Sequence, residues 1–345
     1  MNLRRIFLLY ICICFINLCY LFSPVFAYLL PSNFESFITK KPQTELTIRC
    51  KLTYSISLPG DTRWIRLIAL TPESVPNIQE INRVNYSRDP IRYFRSNGYR
   101  YAEFLIYNPE KTEKLEVTID ADLYKYDLQT AINNEERKKL LGHDVSDIAQ
   151  DVNTAGKEEL DLDKYLIAEK YIEKDSNEIQ EIAKNISGES EIEIVRNIYE
   201  YVLDHMEYLI QGKRDHGALN AFKTCKGDCS EYSDLFVAIC RAKKIPARFI
   251  TGISVQSDTK TAKHNWAEVY LKEYGWVPFD PSKGDVRYSN IRERLFGSLE
   301  PAYLYFSHIR NDNELKGYYY CAYSYSGDPI HVTDSIEFEF PKNEK

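Results

Sequence analysis

The sequence predicts an α+β protein, and three observations carry that expectation. Between residues 37 and 127, short segments alternate polar with apolar or β-branched residues and are separated by turn residues. From 133 to 187 the chain becomes charged and helical in tone. Between Lys226 and Gly252 an amphipathic helix gives way to strands, and a cysteine stands at the start of that helix.

The first element is a targeting segment. Arg4 and Arg5 precede an apolar run from Ile6 to Ile16, continued by Leu18 to Phe22, and Val25-Phe26-Ala27 places small or modest residues at −3 and −1. Residues 1–27 read as a secretory signal peptide cleaved after Ala27. An uncleaved membrane anchor is the alternative, because the apolar stretch approaches spanning length. Either reading exports the chain to the cell envelope or beyond. Cys19 does not follow the small residues of a lipoprotein cleavage site and is not read as lipidated.

Composition bounds the remainder. With 345 residues, 44% hydrophobic and 28% charged, the chain has globular values and room for two domains behind the leader. The formal charge is −7, and loss of residues 1–27 removes two Arg and no acid, giving −9. An acidic chain with no basic cluster argues against nucleic acid as a partner. Of eight cysteines, Cys12, Cys14 and Cys19 lie in the leader, which leaves five. That odd number suits one reactive thiol, with at most two disulfides among Cys50, Cys225, Cys240 and Cys321, or with all of them free. Cys225-x-x-x-Cys229 is too sparse for a zinc motif and no calcium loop of the EF-hand kind is present, so neither metal nor cofactor is expected.

In chain order, Thr47–Leu58, Thr62–Ala69, Tyr99–Tyr107 and Leu115–Tyr124 alternate as strands, which predicts a β-sandwich over 37–127 acting as a support or adhesion module. The connector, 133–187, carries the charge runs Glu135–Lys139 and Glu158–Asp163, which read as solvated faces. Ser176 and Ser190 are each placed to cap a helix, the second with Ile194, Ile198 and Tyr201 at helical spacing, and the core domain starts here and runs over 188–340.

The helix that follows is marked at both ends. Asp228 can act as N-cap with Glu231 three positions on, while Tyr232, Leu235, Phe236, Ile239 and Cys240 form one apolar face. Arg241, Lys243 and Lys244 crowd its last turn and Pro246 ends it. Cys229 therefore sits in the first turn, where free N–H groups and the positive dipole end favour a thiolate. His264–Leu271 reads as a strand, and a turn through Lys272 to Gly275 leads to Trp276–Pro281. Pairing of these two strands in a hairpin sets His264 and Asp280 across from each other within a residue or two. Cys229, His264 and Asp280 then have the logic of nucleophile, base and orienting carboxylate. His216 and His308 are lesser candidates for the base. The backbone N–H of Cys229 is the expected oxyanion donor, with a side-chain partner not identified.

At these residues the chain resembles the transglutaminase-like superfamily of bacterial proteins. The resemblance rests on Gly227-Asp228-Cys229-Ser230-Glu231, Lys244-Ile245-Pro246-Ala247-Arg248, His264-Asn265-Trp266-Ala267-Glu268-Val269-Tyr270 and Gly275-Trp276-Val277-Pro278-Phe279-Asp280-Pro281, in that order. It implies a papain-like core in which Cys229 is nucleophile, His264 general base and acid, and Asp280 the orienting carboxylate. Proteins of this family often carry an amino-terminal β domain. Lys243-Lys244 departs from the family, which usually has a glycine before Ile-Pro, and Cys225 is not a family feature.

Beyond Asp280, Ala302–His308 and Tyr318–Tyr325 are aromatic and strand-like, their alternating tyrosines read as sheet packing with a substrate-groove lining as the alternative, and Ile330–Phe340 reads as a closing strand. The function expected is an exported thiol enzyme acting on amide bonds of a protein, peptide or cell-envelope polymer through a Cys229 thioester. The alternatives are a catalytically idle peptide-binding or scaffolding protein of the envelope, and a redox sensor using Cys225 and Cys229.

Overall fold

A computed structural model of the chain describes residues 44–140, 161–210, 215–255 and 262–341. Every described residue belongs to one compact unit, Thr44–Lys345. The leader, its cleavage point and Glu158–Leu160 of the connector lie outside the described residues.

The first six strands are β1 (Leu46–Ser57), β2 (Thr62–Thr71), β3 (Gln79–Tyr86), β4 (Arg92–Ser96), β5 (Tyr99–Tyr107) and β6 (Thr112–Leu123). Alternation fixes their faces. Ile48, Cys50, Leu52, Tyr54 and Ile56 of β1 and Leu115, Val117, Ile119, Ala121 and Leu123 of β6 are buried, with polar residues between them. The next elements are β7 (Tyr126–Asp127), α1 (Leu128–Leu140), α2 (Asn177–Asn185), α3 (Glu191–His205), β8 (Glu207–Tyr208), α4 (Ala218–Thr224), β9 (Lys226–Gly227) and α5 (Cys229–Ala242). They are followed by β10 (Ala247–Ser254), β11 (Lys263–Leu271), β12 (Gly275–Phe279), α6 (Pro281–Gly284), α7 (Ser289–Leu295), β13 (Ser298–Leu299), β14 (Tyr303–Ser307), β15 (Cys321–Gly327) and β16 (His331–Glu339).

Two four-stranded antiparallel sheets, ordered β16-β1-β6-β3 and β15-β2-β5-β4, share one apolar core. Sequence reading placed 318–340 with the downstream core. In the structure β15 pairs with β2, Ala322 opposite Ile68, and β16 pairs with β1, Ile336 opposite Leu52. The physical reason is the exposed ladder on β1 and β2, which the last two strands complete.

The third sheet, β12-β11-β10-β14, is a middle layer. On one face Ala247, Phe249, Ala267, Val269, Val277 and Phe279 join the core formed by α3 and α5. On the other, Ile250, Ile253, Trp266 and Leu304 join the core of the sandwich.

Helix α5 corrects the reading of a helix with one buried face, because Cys229 through Arg241 are all buried. Its polar side is covered by other segments and neutralised there. Ser233 Oγ donates to the Cys229 carbonyl at 2.7 Å, and Arg310 binds Asp234 through Nε at 2.7 Å and Nη2 at 2.8 Å. Arg241 donates to Glu169 at 2.9 Å and to the Ala247 carbonyl at 2.8 Å. The caps read from sequence are present, with Ser176 accepting from Ile179 N–H, Ser190 from Glu193 N–H, and a full Asp228/Glu231 capping box.

Candidate active site

The capping box is what sets Cys229 in place. Asp228 accepts from Ser230 N–H at 2.9 Å, while Glu231, almost fully buried, returns Oε2 to Asp228 N–H at 3.1 Å and Oε1 to His216 N–H at 2.9 Å. Gly227 is required beside it, since a Cβ there would lie 2.3 Å from the Glu231 Cβ. Cys229 then stands at the first helical position, where its N–H has no intrahelical acceptor.

The five cysteines among the described residues are all free. Cys229 keeps 9% of its surface, whereas Cys50 and Cys240 keep none. Burial pushes the Cys50 and Cys321 thiols up to about 12, and Cys240 higher still, so these three are inert packing residues. Cys225 is exposed at the end of α4, 3.4 Å from His205 Nε2.

The hairpin register is Ala267 opposite Phe279 and Leu271 opposite Gly275. Continued one step, it sets Asp280 opposite Trp266, diagonal to His264 and within reach of its ring. His264 Nε2 lies 2.6 Å from Asp280 Oδ2, and the Cys229 sulfur is near enough to the same ring to help raise its pKa. Because Nε2 is engaged by the carboxylate, Nδ1 is the nitrogen left for sulfur.

Asp280 has every lone pair in use. Oδ2 also accepts from Tyr303 hydroxyl at 2.8 Å, and Oδ1 accepts from Ser282 hydroxyl at 2.9 Å and Lys283 N–H at 3.0 Å, where Asp280 caps α6. Burial pushes this carboxyl upward, but the His264 ring, the Lys283 N–H and the Tyr303 hydroxyl together hold it below the usual carboxylate range. Burial likewise pushes His264 down, and the adjoining Asp280 carboxylate and Cys229 sulfur overcome that and raise it to about 10. The ring is therefore an imidazolium at neutral pH, packed 6.0 Å from Trp266 and 5.9 Å from Tyr303 between ring centres.

The structure thus brings together Cys229, His264 and Asp280, and it does not bring in the two lesser histidines. His216 contributes its backbone N–H to Glu231. The half-buried His308 packs its ring against Tyr99 and Tyr165, and desolvation together with the Arg248 charge holds it well below its ordinary value. Sequence reasoning missed Tyr303, whose alternation was read as packing, and Asn265, whose Nδ2 lies 2.9 Å from Ser230 Oγ and 3.9 Å from Cys229 Sγ. No group of three or more His, Cys, Asp or Glu among the described residues is placed to hold a metal ion.

Comparison with known proteins agrees with this architecture. Residues 180–281 match the transglutaminase-like superfamily model, a span containing the capped cysteine helix, His264 and Asp280. An uncharacterized protein, YebA, of Bacillus subtilis is 36% identical over 76 residues, covering 18% of this chain and 10% of that protein. An uncharacterized protein of Haemophilus influenzae is 27% identical over 230 residues, covering 52% of this chain and 62% of that one. The chain therefore spans less than two thirds of either curated relative. A crystal structure from Cytophaga hutchinsonii, provisionally called a cysteine protease, superimposes with a TM-score of 0.52 at 17% identity, covering 85% of this chain and 98% of that one, which shows a shared fold. The capped helix, the two-strand hairpin and the family match converge on one statement: residues 180–281 form a transglutaminase-like core, flanked here by a strand-rich region.

Proposed function

We propose that the protein is a thiol enzyme acting on amide bonds through an acyl thioester on Cys229, and that it works outside the cytoplasm on protein, peptide or cell-envelope polymer. The observation that carries the reading is the His264 imidazole, hydrogen-bonded to the Asp280 carboxylate and raised in pKa by the nearby Cys229 sulfur. The proton resides on His264, so sulfur attacks the amide carbonyl carbon as the thiolate and a C–S bond forms. The developing oxyanion lies at the start of α5, where the Cys229 N–H is free to donate. On collapse the C–N bond breaks and His264 gives its proton to the leaving amine. Water or a second amine then attacks the thioester with His264 as base, and the C–S bond breaks to release acid or a new amide.

Export rests on the leader read from residues 1–27. No helix among the described residues is long and apolar enough to cross a membrane. The test is iodoacetamide labelling of the folded protein near pH 7, with peptide mapping. Cys229 is expected to react at least about tenfold faster than a model thiol, as expected for a thiol paired with a cationic imidazole. Labelling no faster than the model thiol, together with activity that survives Cys229→Ala, would favour a binding or scaffolding role.

A further inference from the structure

Alternation along β11 points His264 and Trp266 to one side of the sheet and Asn265, Ala267 and Val269 to the side of α5. An amide thus stands where its neighbours on that face are Ala and Val. Asn265 is 6% exposed and lies beneath the first turn of α5. Its Nδ2 is 2.9 Å from Ser230 Oγ and 3.9 Å from Cys229 Sγ, and its Oδ1 is buried with no hydrogen-bond partner among the described residues. A buried carbonyl oxygen left unpaired is costly, and such exceptions concentrate at functional groups.

The Ser230 hydroxyl can donate or accept, so it does not choose between the two orientations of the amide. The sulfur does. A thiolate only accepts, and the amide is turned so that N–H faces it. We propose that Asn265 is a positioning residue for the nucleophile: anchored on Ser230, its N–H donates to the Cys229 sulfur and keeps it charged and directed at His264. This rests on the reading of Cys229 as nucleophile. It gives the sulfur a donor other than the imidazole. The titratable groups that interact with the sulfur are His264 on β11, with Asp280 behind it, and the hydroxyls of Tyr208 and Tyr320, while Asp228 and Glu231 belong to the adjoining cap of α5. Among them only His264 is cationic, so a neutral N–H donor has a measurable share of the stabilisation.

The experiment is the pH profile of iodoacetamide labelling at Cys229 in the full chain, read by peptide mass, for wild type, Asn265→Ala, Asn265→Asp and Ser230→Ala. Asn265→Ala moves the midpoint up by about one pH unit, so labelling below the midpoint slows about tenfold while the alkaline plateau stays near that of wild type. Asn265→Asp moves it further, because a carboxylate replaces the donor. Ser230→Ala moves it the same way by less, since the amide loses its anchor and keeps its N–H. Labelling of buried Cys240 would report an opened fold in Asn265→Ala, and Ser230→Ala then decides. Variant profiles that superimpose on a fast-reacting wild type overturn the role of Asn265 alone. A wild-type Cys229 no faster than a free thiol overturns the nucleophile reading and this one with it.

Discussion

Asp280→Asn separates the two jobs of the Asp280 carboxylate. Oδ1 caps α6 and Oδ2 faces two donors, His264 Nε2 at 2.6 Å and the Tyr303 hydroxyl at 2.8 Å. An amide keeps the cap by placing its oxygen toward Lys283 N–H, and then sets its own NH2 against both donors. The ring is driven to the other tautomer and is no longer held cationic. Breaking a buried, paired charge in this way costs about 3–5 kcal/mol. The rise of His264 from 6.5 to about 10 corresponds to a similar quantity, roughly 1.4 kcal/mol per unit. The sign follows from a folded value above the unfolded one: the stabilisation is fully present below pH 6.5 and is lost as pH rises through about 10. At the acid end it disappears once Asp280, held below 3.8, is protonated. Thermal and urea unfolding of wild type and variant at pH 5.5, 7, 8.5 and 10 should therefore show a gap on the order of 10 °C near pH 5.5 that narrows steadily toward pH 10. A gap independent of pH, or one below about 1 kcal/mol, the size of an ordinary hydrogen bond, would refute the ion-pair account.

Other consequences are smaller in scope. Lys244 adopts φ +63° as the C′ residue of a Schellman turn closed by Ile245 N–H to Cys240 O and Lys244 N–H to Arg241 O, so Lys244→Gly should stabilise by about 0.5–1 kcal/mol in urea unfolding; destabilisation would contradict this. Arg310→Ala leaves Asp234 buried and unpaired within α5 and should cost about 3–5 kcal/mol, and a loss under 1 kcal/mol would show that the 307–319 segment does not anchor that helix. Tyr303→Phe removes one donor from Asp280 Oδ2, leaving His264 a larger share of that oxygen. The labelling midpoint of Cys229 should then shift by less than one pH unit with folding intact, and abolished labelling would assign Tyr303 a more direct part.

How much of this was legible in the sequence depends on range. The capping box around Cys229, the serine caps and the hairpin register were readable because each is a local contact within a few residues or one turn. The Lys244 departure from the family's glycine was also visible, and its left-handed backbone gives it a physical cost. Contacts made at long sequence separation were not readable. Strand β16 pairs with β1 across nearly the whole chain, and alternation reports a strand but never its partner. Helix α5 looked one-sided because Asp234 and Arg241 are polar, and their burial depends on Arg310 and Glu169 far away in sequence. Tyr303 and Asn265 escaped for a similar reason, since a tyrosine in an alternating strand and an amide beside a histidine have no period of their own.

The most direct test of the central claim is a burst experiment with p-nitrophenyl acetate. The account predicts a rapid release of about one equivalent of nitrophenolate per protein, with the acetyl group found on Cys229 as a hydroxylamine-labile thioester and absent in His264→Ala. No burst, or acetylation scattered over lysines with Cys229 unmodified, would contradict it.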